Sequence, residues 1–589
     1  MKDYIKNLLA DLVVQVIEKN HSLKLERDSI LSMLEQPPDS ALGDYALPCF
    51  RFAKMLRQSP PSIAQALKKS LDSEKNPWVS KVEVVGAFLN IFISQSELAK
   101  YLLPKIANSS YFNELRLEHP EHAKTRVMIE FSQPNTHKEF HVGHLRNVCL
   151  GETICRLYSH LGYAVIPANY IGDEGTHVAK CLWQVLQHQE TNLANSSPSR
   201  AEFYGQCYVE ANKKLKLANP EQKAIYEKEI SDILRELEAK KGSTYELWQK
   251  SRQECLEDFK AIYSWLGVQF DHYFFESEVS EEAQQIVDEY VTKGLFQLSD
   301  GAMGIDLNDC GLGFFMAPKS DGTTPYITKD LSLARRKFDD FKIDRSIYVV
   351  ANEQIFHFKQ LFKALELMGF PQSSQCHHLN YASVNLPEGK MSSRLGNVIT
   401  FSHLKKAMSE ELAPHLDTSD GTWTSEEREK TLHKLAVGAI KYGMLSSDPA
   451  KEILFDIKLW TSFEGNSGPY LMYSYARTRS MLRRCTEKGL KANFENLNQL
   501  DQTGVRELIR YLYDFNASVF SSYENYRPST LAHHLYSLCK AYNRFYAEVP
   551  VLREESPLRQ GALIALIECF SKALREGLGL LGISPPERM

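Results

Sequence analysis

The chain has 589 residues, of which 43% are hydrophobic and 24% charged, and its net charge is −5 at pH 7. This length exceeds one ordinary hydrophobic core, so about two to four domains are expected, and the composition is typical of a globular protein. The negative charge argues against a protein that holds nucleic acid by charge alone. No stretch approaches the roughly 18 uninterrupted apolar residues of a membrane span, and acidic residues near the N-terminus do not fit a signal peptide.

The cysteines indicate a reducing compartment. The 11 cysteines are scattered singly, without a C-x-x-C pair, so the sequence predicts neither a zinc site nor a disulfide framework. We therefore expect a cytoplasmic protein. Charge is uneven along the chain, with a net +3 in residues 451–589 and −8 in the first 450 residues, so a partner with phosphates is expected along the C-terminal part.

Residues 1–115 are predicted to form an α+β module. The first segment has apolar side chains at helical spacing, which predicts an amphipathic helix with one buried face. These side chains are Ile5, Leu8, Leu9, Leu12, Val13, Val16 and Ile17. The segment VEVVGAFLNIFI, residues 82–93, alternates like a pair of strands.

Residues 116–405 are predicted to form a Rossmann-like domain. RVMIEFS, residues 126–132, has the length of a buried strand. A helix follows, with Gly162 as its stop, and its buried face is predicted to contain Leu150, Ile154, Leu157, Tyr158 and Leu161. YAVIPANYIGD, residues 163–173, is the next strand, so the segment predicts a right-handed β-α-β unit of a doubly wound sheet.

The rest of the chain is predicted to be largely helical. Charged, Gln-rich and Ala-rich sequence at about 190–300 predicts a helical insertion, after which RSIYVVAN, residues 345–352, resumes the parallel strands. A helical connector is expected at 406–450 and a helical domain at 451–589. The expected fold class is therefore α/β, with a doubly wound parallel-sheet domain, an α+β N-terminal module and an all-helical C-terminal domain.

The segment EFHVGHLRN, residues 139–147, lies at the turn between the first predicted parallel strand and its helix. Ligands bind at such turns, and the unpaired N–H groups of a helix start attract anions. Gly143 leaves room for a phosphate, while His141 and His144 lie one turn apart on the same side. Lys138 adds a positive charge, and His137 adds a potential further donor.

Two other interpretations of these histidines remain open. They are partly buried residues at a helix start, or His137, His141 and His144 are metal ligands. A zinc site needs further ligands nearby, and Lys138 would repel a dication. The phosphate interpretation is favoured.

A second polar segment, LPEGKMSSRLGNVIT, covers residues 386–400 and contains Lys390, Met391, Ser392 and Ser393 in a Gly-flanked loop. By itself it is also compatible with a solvated basic turn. Together with H-V-G-H it resembles the two signature segments of class I aminoacyl-tRNA synthetases. That resemblance implies that both segments bind ATP, with His141, His144 and Lys390 stabilising the α-phosphate and the leaving pyrophosphate.

Longer segments resemble the arginyl-tRNA synthetases in particular. They include EFSQPNTHKEFHVGHLRN, YITKD and NEQIFHFKQLF in the middle, GDYALPCFRFAK near the N-terminus and NSGPYLMYSYARTRSMLRR near the C-terminus. The resemblance covers nearly the whole chain and is weakest at about 190–300. It implies activation of L-arginine by ATP with Mg²⁺, which itself requires bound tRNA, and transfer to tRNA(Arg), whose elbow the N-terminal module contacts. We expect a monomer.

A guanidinium is planar and always charged, and it is best bound by carboxylates in bidentate geometry beside an aromatic ring. Tyr326 and Asp330 stand four residues apart at a predicted helix start. The resemblance implies that Asp330 is the main guanidinium partner, Tyr326 the ring and Glu276 a second carboxylate. A surface ion pair is the alternative for each carboxylate.

The resemblance also implies contacts to the rest of the amino acid. Asn135 and Gln354 match positions that hold its amino and carboxylate groups, Glu130 lies near the ammonium, and Asn90 is where the N-terminal module approaches. Lysine lacks the guanidinium fork and would leave acceptors of Asp330 unpaired, so no editing domain is required.

Some positions depart from the family pattern. Proline is usual where Glu139 stands, tryptophan where Glu174 stands and glutamine where His177 stands. The loop has Ser393 in place of a second lysine. The resemblance implies that the lysine before the first histidine segment, here Lys138, takes the place of that second lysine.

The C-terminal part holds 10 of the 28 tyrosines, mixed with arginines, which suits stacking on unpaired bases. The predicted tRNA contacts are Tyr470, Tyr473, Arg477 and Met589. Two rival hypotheses stay open: a synthetase for cysteine or glutamine, and a tRNA-binding protein that has lost catalysis. Asp330 and Tyr326 argue against the first, and intact His141, His144 and Lys390 against the second.

Overall fold

The computed structural model describes residues 3–21, 25–187, 199–299, 302–316, 326–386, 389–390, 398–416, 423–500 and 503–589. Close contacts divide the chain into two compact units. Unit 1 comprises residues 1–118, 477–520 and 537–574, and unit 2 comprises residues 119–476, 521–536 and 575–589.

The N-terminal part mixes helices with short strands. Its elements are α1 (Tyr4–His21), α2 (Arg27–Met33), β1 (Tyr45–Pro48), α3 (Ala53–Leu56), α4 (Pro60–Glu74), β2 (Val79–Val85), β3 (Phe88–Ile93), α5 (Gln95–Ala107) and α6 (Ser110–Glu118). The strands form an antiparallel sheet in the order β1-β3-β2. Gly86, with a φ of +63°, makes the turn of the β2–β3 hairpin predicted for residues 82–93.

The middle part alternates strands and helices. Its elements are β4 (Arg126–Glu130), α7 (Val142–His160), β5 (Ala164–Ile171), α8 (Thr176–Gln187), α9 (Arg200–Leu217), α10 (Pro220–Glu238), α11 (Ser243–Leu266), β6 (His272–Phe275), α12 (Glu276–Thr292), β7 (Gln297–Ser299), β8 (Ala302–Asp306), β9 (Phe314–Met316), α13 (Tyr326–Phe341), β10 (Arg345–Ala351), α14 (Ile355–Leu367), β11 (Cys376–Tyr381), β12 (Val384–Leu386), β13 (Gly389–Lys390), α15 (Phe401–Leu412), α16 (Ser425–Leu445), β14 (Ile453–Leu454) and α17 (Ile457–Thr461). This alternation is the signature of an α/β domain.

The C-terminal part is helical. Its elements are α18 (Gly468–Glu487), α19 (Thr503–Tyr513), α20 (Phe515–Glu524), α21 (Pro528–Glu548) and α22 (Pro557–Leu580). Across the described residues, we find no helix with the length and apolarity needed to cross a membrane. The predicted fold class, with its α+β module, doubly wound sheet and helical C-terminal part, is confirmed.

A parallel sheet organises unit 2. In the described part of the chain its strands lie in the order β11-β10-β4-β5-β6, and every neighbouring pair is parallel. From β4 the chain builds the sheet outward through β5 and β6, and later adds β10 and β11 on the other side. The switch point lies between β4 and β10, and ligands bind at such a point outside the carboxyl ends of the strands.

The β-α-β unit predicted around residue 150 is present as β4, α7 and β5. The apolar face predicted for α7 is buried throughout; its members Leu150, Ile154, Leu157, Tyr158 and Leu161 are at most 3% exposed. Helices α9, α10 and α11 fill much of the stretch predicted as an insertion. Within that stretch β6 pairs with β5, so residues 272–275 form the edge of the parallel sheet.

Arg146 ties α7 to two later segments of unit 2. Its side chain is 2% exposed and donates to four main-chain carbonyl oxygens. The acceptors are those of Ser383 at 3.4 Å, Asp448 at 3.1 Å, Pro449 at 3.0 Å and Lys451 at 2.7 Å. Burial lowers the pKa of Arg146 to about 10, which leaves the guanidinium charged at neutral pH. Only a planar group with five donors satisfies so many acceptors at once.

We expect Arg146→Lys to lower the free energy of unfolding by about 1–3 kcal/mol, because an ammonium with three donors leaves at least one of the four buried carbonyls unpaired and each orphan costs about 1–3 kcal/mol. The midpoint of urea unfolding measures the loss. Arg156→Lys is the matched control, since Arg156 lies on the same helix but is 42% exposed, and its effect should stay within about 0.5 kcal/mol. Equal losses in the two variants would contradict the assignment.

Candidate active site

The turn between β4 and α7 contains three strained residues. Ser132, Gln133 and His137 have backbone φ values of +78°, +48° and +60°, which residues other than glycine rarely adopt. Side chains of neighbouring elements fix this path: Asn147 Oδ1 accepts from Ser132 N–H at 2.6 Å and Asn169 Oδ1 from Gln133 N–H at 3.0 Å. Strain of this kind persists where surrounding contacts over-determine the backbone, and it concentrates at functional sites.

His141 and His144 form a reciprocal cap at the start of α7. His141 Nδ1 accepts from Gly143 N–H at 3.1 Å, and His144 Nδ1 accepts from His141 N–H at 3.2 Å. Their ring centroids are 4.0 Å apart, as expected for residues one turn apart. Because each Nδ1 is an acceptor, each ring carries its proton on Nε2. Burial lowers the pKa of His141 to about 4 and that of His144 well below its usual value, so both are neutral Nε2–H donors at pH 7.

His137 belongs to the support of the turn. Its side chain is fully buried, with Nδ1 at 2.9 Å from Thr136 Oγ1 and Nε2 at 2.8 Å from Ser251 Oγ. Both ring nitrogens are therefore engaged within the protein, so the suggestion that His137 adds a further donor to the phosphate site is wrong, and the alternative in which it is a metal ligand is disfavoured as well. Lys138 Nζ lies 5.5 Å from the centre of the Tyr208 ring, and its charge contributes to the lowered pKa of His144.

The second signature segment returns to this helix start. His141 and Thr400 form an antiparallel bridge, in which Val142 N–H donates to Ile399 O at 3.1 Å and Phe401 N–H donates to Phe140 O at 3.0 Å. Thr400 also caps α15, whose first residue follows it. Two segments about 260 residues apart in sequence thus meet at one helix start.

The loop between these contacts is only partly described. The backbone of Lys390 pairs with Asn385 as β13 against β12, and the side chain of Lys390 lies outside the described residues. Met391, Ser392 and Ser393 lie outside them as well. Their predicted contacts with ATP stay predictions.

Asn135 and Glu276 close over Gly172 at the carboxyl end of β5. A Cβ added to Gly172 would lie 2.3 Å from Asn135 Oδ1 and 3.4 Å from Glu276 Oε1. Glu276 is 7% exposed, and within the described residues its Oε2 accepts no hydrogen bond. Burial raises the pKa of Glu276 to about 8, a shift that nearby Lys329 opposes. A buried carboxylate with an unused oxygen has room for a cationic ligand.

Asp330 lies four residues after the start of α13, and its Oδ2 is 2.7 Å from His357 Nε2. The side chain of Tyr326 lies outside the described residues. Gln354 is exposed at the start of α14, just beyond the carboxyl end of β10. Glu130, at the end of β4, is 3% exposed and has partners on both oxygens, Gln133 Nε2 at 2.7 Å and Lys337 Nζ.

Several charged groups of this cluster were not predicted from the sequence. Lys329 is 5% exposed and Lys337 is fully buried, each beside a carboxylate. Tyr170 on β5 is influenced by the charges of Asp330, Glu276, Glu130 and Glu174, and burial raises its pKa well above the usual range. One feature of the sequence could have indicated these lysines. Lys329 and Lys337 lie on the same helix as Asp330, the predicted guanidinium partner.

The structure shows the contacts or the burial of the three residues that depart from the family pattern, Glu139, Glu174 and His177. Glu174 accepts from Lys329 Nζ and Ser280 Oγ. Glu139 packs on α9, where a Cβ on Gly205 would come within 2.3 Å of its Cγ, and burial raises the pKa of Glu139. His177 is 7% exposed, and burial lowers its pKa well below the usual value.

Comparison with known proteins identifies the family. The model for class I tRNA synthetases of the arginine type, catalytic domain, matches residues 108–457. The DALR anticodon-binding domain matches residues 471–589, and the arginyl-tRNA synthetase N-terminal domain matches residues 1–93. The chain belongs to the arginyl-tRNA synthetase family.

Relatives of this synthetase family match over their full length. The arginine–tRNA ligase of Bdellovibrio bacteriovorus is 38% identical, covering 100% of this chain and 99% of its own. That of Clostridium acetobutylicum is 32% identical over 100% of both chains. The solved arginyl-tRNA synthetase of Thermus thermophilus superposes with a TM-score of 0.74 at 25% identity, covering 99% of this chain and 100% of its own.

The remaining predicted contacts of the synthetase belong to elements other than the strands of the parallel sheet and the helices that directly follow them. Asn90 is 3% exposed in the middle strand β3 of unit 1. In unit 2, Tyr470 packs edge-on against Tyr536 at 5.6 Å, Tyr473 is 37% exposed and Met589 is half-buried. In unit 1, Arg477 lies 5.2 Å from the Tyr546 ring. The predicted binding roles of these residues stay predictions.

The buried His137 predicts a pH dependence of stability. Burial lowers its pKa from the ordinary 6.5 to about 3, so below pH 6.5 the unfolded chain takes up a proton that the folded chain does not. Stability from this group is complete above pH 6.5 and falls towards pH 3, by at most about 1.4 kcal/mol per pH unit. His137→Gln should make the plot of unfolding free energy against pH shallower by about that slope between pH 6 and 4. Exposed His533 supplies the control, since His533→Gln should leave the slope unchanged.

Proposed function

We propose that this arginyl-tRNA synthetase carries out both steps of arginine–tRNA ligation at the carboxyl edge of β4, β5 and β10. The carboxylate of L-arginine attacks the α-phosphorus of ATP, the bond to the pyrophosphate leaving group breaks, and arginyl-adenylate forms. The ribose 2′-hydroxyl at the 3′ end of tRNA(Arg) then attacks the activated carbonyl and AMP leaves. The bridge between His141 and Thr400 carries the proposal, because it joins both signature segments at one helix start.

The helix start of α7 is the proposed phosphate site. His141 and His144 present neutral Nε2–H donors, and Lys138 and Lys390 supply positive charge. No covalent protein nucleophile is needed, because positioning two anions and stabilising the developing charge accounts for catalysis of this kind. ATP enters with Mg²⁺, which neutralises part of the triphosphate charge. Gly143, Met391, Ser392 and Ser393 complete the proposed ATP contacts.

The carboxylate cluster is the proposed arginine site. Glu276 offers an unused buried oxygen and Asp330 a carboxylate oriented by His357, and both suit a guanidinium with Tyr326 beside it. The side chains of Asn135 and Glu276 both approach Gly172, and the amide of Asn135 is a further proposed contact to the bound amino acid. Gln354 and Asn90 are the remaining proposed direct contacts, and Glu130 is the proposed acidic group near the substrate ammonium.

Glu130 differs from the other proposed contacts because its charge is already compensated. Its ion pair with Lys337 and its hydrogen bond from Gln133 leave it little capacity for a direct bond to the substrate ammonium. We therefore assign Glu130 an electrostatic influence at the end of β4.

We propose a monomeric, cytoplasmic enzyme that needs bound tRNA(Arg) for arginine activation. Tyr470, Tyr473, Arg477 and Met589 are proposed tRNA contacts of the C-terminal part. Exposed Tyr473 is the best placed of these to stack on an unpaired base.

Exchange of radioactive pyrophosphate into ATP tests the proposal directly. Each of the twenty amino acids is supplied in turn, with and without tRNA(Arg). We expect exchange with arginine, in the presence of tRNA. Exchange with cysteine or glutamine would favour a different substrate, and no exchange with any amino acid would favour a tRNA-binding protein without catalysis.

Asp330→Ala should raise the arginine KM by about tenfold to a few hundredfold, or abolish exchange, because the guanidinium loses a charged acceptor. The ATP KM should stay unchanged. Asp339 lies exposed on the same helix, so Asp339→Ala should behave as the wild type. A selective rise in the ATP KM of Asp330→Ala would place Asp330 elsewhere in the site.

Glu276 predicts that arginine binding depends on pH. Its pKa of about 8 means that most of the carboxyl is protonated at pH 7, and a guanidinium binds the ionised form. The arginine KM should therefore fall as pH rises from 6.5 to 8 and level off above it. Glu276→Gln should raise this KM and remove the pH dependence, with the ATP KM as the internal reference. The same pH dependence in both proteins would contradict the role of Glu276.

A further inference from the structure

Lys329 is a buried cation between two carboxylates of the arginine site. Its side chain is 6% exposed. Its Nζ contacts Glu174 Oε1 directly, whereas it lies 3.8 Å from Glu276 Oε2. The ammonium is thus hydrogen-bonded to Glu174 and lies beyond hydrogen-bond distance of Glu276.

Glu174 is held in place to receive this lysine. It lies just beyond the carboxyl end of β5, and its Oε1 also accepts from Ser280 Oγ on α12. Ser280 Oγ also lies 2.8 Å from the Glu276 carbonyl oxygen within the same helix, so its single proton is shared between these two acceptors and the hydroxyl has a fixed position. Two donors converge on one carboxylate oxygen.

The neighbouring Asp173 does not replace Glu174 in this contact. Asp173 is fully buried and accepts from Arg252 Nε at 2.6 Å, from Ser277 N–H at 3.0 Å and from Ser277 Oγ at 2.7 Å. The oxygens of Asp173 are thus already hydrogen-bonded to Ser277 at the start of α12 and to Arg252. Within the described residues, Glu174 is the acidic side chain in direct contact with Lys329.

The distance between Lys329 and Glu276 decides whether a substrate cation is bound. An ammonium hydrogen-bonded to Glu276 would occupy the same oxygens as a guanidinium fork and repel it, whereas at 3.8 Å it leaves Oε2 open to a ligand. We propose that Glu174 is a positioning residue that draws Lys329 off Glu276 and so keeps this carboxylate for the arginine side chain. The inference rests on the proposed function of the site.

The test is a double-mutant cycle read out by arginine-dependent pyrophosphate exchange. Glu174→Gln keeps the side-chain size and an acceptor for Ser280 but removes the charge that holds Lys329. Lys329 should then pair with Glu276, and the arginine KM should rise by about tenfold or more. The ATP KM and the kcat should change by less than about threefold. Glu281, exposed on α12, gives the matched control Glu281→Gln, which should match the wild type.

The double variant Glu174→Gln with Lys329→Met separates positioning from a merely structural role. Without the competing ammonium, the arginine KM should return to within about threefold of the wild type, so the two changes are strongly coupled. An arginine KM in Glu174→Gln equal to that of the wild type would overturn the inference, and so would a double variant worse than the single one. Absence of arginine-dependent exchange in the wild type would instead overturn the proposed function, and the inference with it.

Discussion

The site depends on a main-chain contact between two distant segments. Residues 140–142 and 399–401 pair through their backbones at the start of α7. The position of the second segment is therefore fixed relative to the first. The same helix start is organised by the reciprocal cap of His141 and His144, which fixes both tautomers. Geometry and protonation of the phosphate site therefore follow from one local arrangement, which uses peptide groups and two imidazoles.

The arginine site is governed by charge compensation. Acidic side chains outnumber the cations around Tyr170, and each buried lysine stands beside a carboxylate. Asp173 has hydrogen-bond partners on both oxygens and Glu130 is in direct ion-pair contact with Lys337, whereas Glu276 Oε2 lies 3.8 Å from the ammonium of Lys329 and accepts no hydrogen bond within the described residues. A buried carboxylate that is paired within the protein stabilises the fold. A buried carboxylate without such a partner is stabilised most by a bound cationic ligand.

Local patterns in the sequence predicted much of this. The strand, turn and helix around His141 follow from apolar runs and helical spacing, and so does the buried face of α7. Pairs formed across the fold were not predictable: Glu130 meets Lys337, and Glu174 meets Lys329, over separations of more than 150 residues. For His137 the sequence suggested a role in binding that the structure does not support. Its imidazole is hydrogen-bonded to Thr136 and Ser251, so it supports the turn instead.

The grip of Arg146 on the carbonyls of residues 383, 448, 449 and 451 has an evolutionary consequence. Main-chain oxygens are common to all amino acids, so those four positions are free to drift in residue type as long as the path of the chain persists. The arginine has no such freedom. Substitutions in the surrounding segment that keep the path of its main chain therefore leave the helix that carries the imidazoles undisturbed.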